Sequence, residues 1–213
     1  MPAGADLRIQ ALARLIPTDA AKVIPMLRNI AFHEDTGPAK RAVLVLAQSR
    51  NPEAQSCVVD VAKGAAEPVR IAAVKELARF GGANISGQLL EVYSTANTPV
   101  KQAVVISLGE RADSSALVAL GRIAVSESDN RVLETAIVTL GRAGATKQLR
   151  DLYPKTTRVR RMTIIRGLFS ARDEDGLIRI AKEEDDPALR NEAVARLKLL
   201  GTPAAMAYVD SIR

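Results

Sequence analysis

A short phrase recurs seven times along this chain, about 31 residues apart, and that period constrains the fold more than any single residue does. An apolar residue is followed by a base. Small or apolar residues come four and five positions later, and usually a Leu at the eighth. The first copy is Leu7, Arg8, Ala11, Leu12 and Leu15; the others begin at Ala39, Val69, Val100, Val132, Val159 and Leu189. The starts are 32, 30, 31, 32, 27 and 30 residues apart. The apolar positions of one phrase share one face at a 3.6-residue period, so each phrase predicts an amphipathic helix. The fifth position (Leu12, Leu44, Val74, Val105, Ile137, Ile164, Val194) is apolar throughout, whereas Gly167 breaks the eighth position in the sixth copy.

Helix boundaries agree with the phrases. Pro38, Pro68, Pro99 and Pro187 precede phrase starts, where a missing N–H has no intrahelical partner to lose. Asp129, Asp185 and Asp186 stand where carboxylates cap free amides. Gly81, Gly82, Gly109, Gly141, Gly144 and Gly201 read as stops after the periodic runs. A second apolar helix is expected in each gap, near 18–32, 53–63, 84–96, 114–126, 145–153, 174–184 and 203–212. The expectation is all-α: a right-handed α-solenoid, or superhelix, of seven helix pairs over residues 1–213 as a single domain. The last helix carries Met206, Tyr208, Val209 and Ile212 where a solenoid end wants a polar cap. That points to a piece of a longer array, or to end-to-end self-association.

Composition narrows the function classes. Aromatic residues make up only 3% of the chain and Trp is absent, so Ala, Val, Leu and Ile must carry the packing. The net charge of +6 permits nucleic acid, acidic proteins or anionic lipid as partners. The single cysteine, Cys57, allows no intrachain disulfide and fits a reducing compartment. No secretory signal pattern opens the chain, and the run from Ala42 to Ala47 is too short to span a bilayer. A soluble, cytoplasmic chain is the expectation, with no membrane insertion.

The phrase resembles the second helix of a HEAT repeat, in the bacterial subgroup named after phycobilisome lyases. The residues that carry this resemblance are Asp186-Pro187-Ala188-Leu189-Arg190 through Leu197, and Glu67-Pro68-Val69-Arg70 through Leu77. The resemblance covers nearly the whole chain. It implies an armadillo-like superhelix whose phrase helices line a concave face, with the phrase base paired to a turn carboxylate in a ladder. The base is present at Arg8, Lys40, Arg70, Lys101, Arg160 and Arg190, and is replaced by Leu133 in the fifth copy. A structural role for these bases is the preferred reading. Repeats of this kind host many functions, so the resemblance speaks to fold.

Catalysis is hard to build from this inventory. His33 is the only histidine and is expected in a solvated connection, with Cys57 buried on an apolar helix face. No catalytic residue, metal ligand set or cofactor is expected. The acids at Asp173-Glu174-Asp175 and Glu183-Glu184-Asp185-Asp186 sit at helix boundaries and read as caps and solvated turns. The six aromatics (Phe32, Phe80, Tyr93, Tyr153, Phe169, Tyr208) are too scattered for base stacking.

Charge is the uneven feature. Between Val138 and Arg172 stand Arg142, Lys147, Arg150, Lys155, Arg158, Arg160, Arg161, Arg166 and Arg172, opposed only by Asp151. This stretch coincides with the shortest repeat, whose gap helix is cut at Pro154. These nine bases are the candidate binding surface. The expected role is a non-catalytic scaffold that binds an acidic protein or peptide on the concave face. The alternative is a nucleic-acid-binding module that uses the same bases on phosphates.

Overall fold

Every phrase is helical, and every gap between phrases holds a second helix. The computed structural model describes residues 2–82 and 84–212. Its helices are α1 (Pro2–His33), α2 (Thr36–Gln48), α3 (Pro52–Gly64), α4 (Glu67–Ala78), α5 (Ile85–Ser94), α6 (Thr98–Arg111), α7 (Ser114–Ser126), α8 (Asn130–Arg142), α9 (Thr146–Leu152), α10 (Arg158–Ser170), α11 (Glu174–Glu183), α12 (Pro187–Leu200) and α13 (Pro203–Ser211). A 3₁₀ turn, Tyr153–Lys155, follows α9. No strand occurs among the described residues, and no described helix is long and apolar enough to cross a membrane. The first phrase helix and the first gap helix run together in α1, bent where Asp19 leaves helical geometry (φ −144°, ψ 50°).

Internal contacts divide the chain into two units, residues 1–111 and 112–213. In the first, α1 packs on α2, α2 on α4 and α4 on α6, while gap helices α3 and α5 pack on the phrase helices that follow them. In the second, α8 packs on α10 and α10 on α12, with α7 on α8 and α11 on α12. Each unit therefore stacks phrase helix on phrase helix, with a gap helix beside it. The expected caps form: Asp129 Oδ1 accepts from the Arg131 N–H at 2.8 Å, and Asp186 Oδ1 from the Ala188 N–H at 2.8 Å. Asn51, Asp113, Asp173 and Thr202 cap other helices in the same way.

The buried face follows the phrase in four copies and slips by one residue in three. Val69, Ala73, Val74 and Leu77 are buried as expected, and so are Val100, Val104, Val105 and Leu108. In the sixth copy Val159 is 68% exposed and the core is built from Ile164, Ile165 and Leu168, so the helix is read from Arg160. In the first copy Leu7 and Leu15 face out while Ile9, Leu12 and Ile16 are buried. In the second, Leu44 turns out and Ala39, Ala42, Val43 and Leu46 turn in.

Gly141 is a correction to the sequence reading. It lies inside α8, buried, and ends nothing. It meets Gly167 of α10, and a Cβ added to Gly141 would stand 2.2 Å from the Gly167 carbonyl oxygen. Gly167 breaks the phrase because two backbones touch there. Gly144, in the left-handed region (φ +71°), is the residue that stops α8.

Candidate functional site

The phrase bases mostly act inside the molecule. Arg70 Nε donates to the Ala62 carbonyl in the last turn of α3 at 3.0 Å. Arg190 Nη1 donates to the Glu184 carbonyl just past α11 at 3.0 Å. These two phrase helices thus tie down carbonyls that the gap helix before each leaves open. Leu133, buried in α8, cannot do this for α7. Arg160 of α10 does it instead, with Nη1 on the Val125 carbonyl at 2.5 Å and Nη2 on the Glu127 carbonyl at 2.7 Å. The one-residue slip in α10 then leaves Arg161 to serve its own repeat, reaching the Pro154 carbonyl at 3.3 Å. Elsewhere the base takes other partners: Arg8 pairs with Glu34, and Lys101 Nζ lies 5.0 Å from the Tyr93 ring centroid.

The nine bases of the candidate surface therefore divide. Arg150 makes a two-pronged pair with Asp173, including an Nε–Oδ2 bond of 2.6 Å, and that aspartate also caps α11 through the Gly176 N–H. Arg158 pairs with Asp186, Arg161 with Glu184, and Arg166 with Glu134. With Arg160 on its carbonyls, five of the nine are engaged internally. Arg142, Lys147, Lys155 and Arg172 remain exposed without a partner among the described residues. The two acidic clusters are where much of this charge goes, which sequence spacing alone could not show.

A largely buried polar cluster in the second unit joins Tyr153, Glu184 and Arg161. The Tyr153 hydroxyl donates to Glu184 Oε2 at 2.6 Å, and Arg161 Nη1 approaches the same oxygen at 3.4 Å. The Arg161 guanidinium also lies over the Tyr153 ring, 5.4 Å from its centroid. Burial by itself would raise the Glu184 carboxyl. The Tyr153 hydroxyl, the Asp186 amide and Arg161 outweigh it and hold the group below its ordinary value. Burial, and then the bond to Glu184, push the Tyr153 hydroxyl well above the usual phenol range. Both shifts move the Glu184 carboxyl and the Tyr153 hydroxyl away from neutrality.

Each unit carries a cleft. In the second, a cleft of about 400 Å³ opens beside the shortened α9, between Tyr153, Pro154 and Lys155 on one side and Arg179, Ile180 and Glu183 on the other. Its charged walls largely neutralise one another through the Arg150, Arg161 and Arg179 ion pairs. In the first unit a cleft of about 550 Å³ lies where α1 bends, walled by Ala13, Ile16, Pro17 and Ala20 and, from α2, Val45. Gln48, Ser49, Arg50 and Asn51 close one end of it. Both volumes fall within the usual range for ligand pockets, about 300–1,000 Å³.

The remaining candidates from the sequence stay apart. His33 is exposed at the end of α1, with Nδ1 3.1 Å from the Asn29 carbonyl. Cys57 is buried in α3, and burial raises its thiol to about 11. No group of three metal-ligating side chains occurs among the described residues. Phe32, Tyr93, Tyr153, Phe169 and Tyr208 each carry a cationic side chain over one face of the ring, where a nucleobase would stack. No protein-family model matches this chain, and no curated protein matches it in sequence.

Proposed function

We propose that this chain is a HEAT-like α-solenoid that serves as a non-catalytic scaffold and binds a protein or peptide along the face lined by its phrase helices. One observation carries the reading: most of the phrase bases bond internal carbonyls or acids, while the phrase helices leave large apolar side chains in water. Leu7, Leu15, Leu44, Ile106, Val159 and Leu199, all on phrase helices, are between 39% and 68% exposed. Exposed apolar surface on a repeat scaffold is the raw material of a protein interface.

A second reading, binding of nucleic-acid phosphates, is favoured by a separate observation. Arg142, Lys147, Lys155 and Arg172 are exposed and unpartnered. Fluorescence anisotropy with labelled single- and double-stranded oligonucleotides, at low and near-physiological salt, separates the two. The scaffold reading expects no saturable binding near physiological salt. Tight binding that falls steeply with salt, and is lost in the R142Q/K147Q/K155Q/R172Q variant, would establish the second reading instead. Arg158, Arg160 and Arg161 stay unchanged in this variant, because each is bonded to another residue of the second unit.

A further inference from the structure

We propose that the cleft at the bend of α1 is a binding pocket for an acidic side chain of a partner peptide, with an apolar neighbour seated beside it. The inference deepens the scaffold reading and rests on it. The cleft walls are uncharged: Ala13, Ile16, Pro17 and Ala20 from α1 and Val45 from α2. Among the described residues only one charged side chain lines it, Arg50, which is exposed and pairs with no described acid.

The polar groups beside Arg50 sharpen the sign. The Ser49 hydroxyl already donates to the Leu46 carbonyl and accepts from the Asn51 N–H. Asn51 Oδ1 is taken up in capping α3, through the Glu53 and Ala54 amides. What remains for a ligand is the Arg50 guanidinium, the Asn51 amide N–H groups and the Gln48 amide. That set is rich in donors and carries one positive charge, which matches a carboxylate. The apolar walls exclude a bare, hydrated anion as the natural occupant and favour a carboxylate borne on a hydrocarbon stem.

The geometry has a local cause. Pro17 lacks an N–H to hold the helix, and Asp19 leaves helical φ/ψ, so α1 bends alongside the end of α2. Arg50 itself sits at φ +55°, a left-handed position that glycine fills at Gly144 and Gly201.

The test uses the full chain and methyl NMR at Ile16 and Val45. The probes are acetyl-Leu-Glu-Leu-amide, its neutral isostere acetyl-Leu-Gln-Leu-amide, and hexanoate. The Glu peptide is expected to shift both methyls and to bind about tenfold more tightly than the Gln peptide. Arg50→Gln removes that preference, and Arg50→Lys retains part of it. Arg50 is exposed and holds no acid, so both variants keep the fold, and circular dichroism checks this. Equal binding of the Glu and Gln peptides, or no methyl shift at millimolar peptide, overturns the proposal. Hexanoate binding as tightly as the Glu peptide also overturns it, by assigning the cleft to a free carboxylate. A nucleic-acid result in the anisotropy experiment would leave these methyl shifts unmoved, so failure of the two readings can be told apart.

Discussion

Replacing Gly141 by Ala should destabilise the second unit, although Ala is the better helix former. A Cβ at that position would stand 2.2 Å from the Gly167 carbonyl oxygen, 3.0 Å from its carbonyl carbon and 3.2 Å from its Cα. All three atoms are backbone, so no side chain can swing away, and α8 and α10 must part. Overpacking of this kind costs about 1–3 kcal/mol. Removing Gly from a helix interior returns up to about 1 kcal/mol. The expected net loss is about 1–2 kcal/mol, or roughly 0.5–1 M in urea midpoint at an m-value near 2 kcal/mol/M. The control is Gly121→Ala in α7, where a Cβ meets nothing within 4 Å, so the midpoint should rise. Urea unfolding followed by far-UV circular dichroism reads both. If Gly141→Ala unfolds at or above the wild-type midpoint, the Gly–Gly contact does not set the spacing of α8 and α10.

Arg172 ends α10 in the position Gly144 takes after α8, with φ +55° and the same pair of closing amide bonds. Arg172→Gly should therefore stabilise the chain by about 1 kcal/mol, read as a rise in thermal midpoint. Acid should weaken the second unit through Glu184 and Asp186, whose folded carboxyls both lie below their ordinary values. A depressed folded pKa contributes stability above the unfolded pKa and loses it as pH falls through the folded value. The urea midpoint should thus fall from pH 5 toward pH 3, and fall less steeply in Glu184→Gln. A flat profile in the wild type would contradict this.

The phrase made the helices legible because a 3.6-residue pattern needs no tertiary information. The gap helices read as 114–126 and 174–184 are found at Ser114–Ser126 and Glu174–Glu183. Register was less legible. From Val159 the pattern meets Thr163, Ile164 and Gly167; from Arg160 it meets Ile164, Ile165 and Leu168, and the structure buries the latter set. Ile165 and Leu168 carried that signal. The compensation of Leu133 by Arg160 spans two repeats and leaves no local trace. The fate of the basic stretch was equally hidden, since Arg150 meets Asp173 and Arg158 meets Asp186 across 23 and 28 residues. Both clefts arise from a bend and a shortened helix, and only Pro17 and Pro154 hinted at them.

The basic stretch is divided between internal anchors and free charges. Thermal unfolding of two variants that lose the same charge, R150Q/R160Q/R161Q and R142Q/K147Q/R172Q, separates the two groups. The first removes bonds to the Asp173 and Glu184 carboxylates and to the Val125, Glu127 and Pro154 carbonyls of the second unit. Each kcal/mol lost in a chain of this size lowers the midpoint by about 2–4 °C. The midpoint should drop by several degrees in the first variant and change by about 1 °C or less in the second. Equal drops, or a larger drop in the second, would contradict this division.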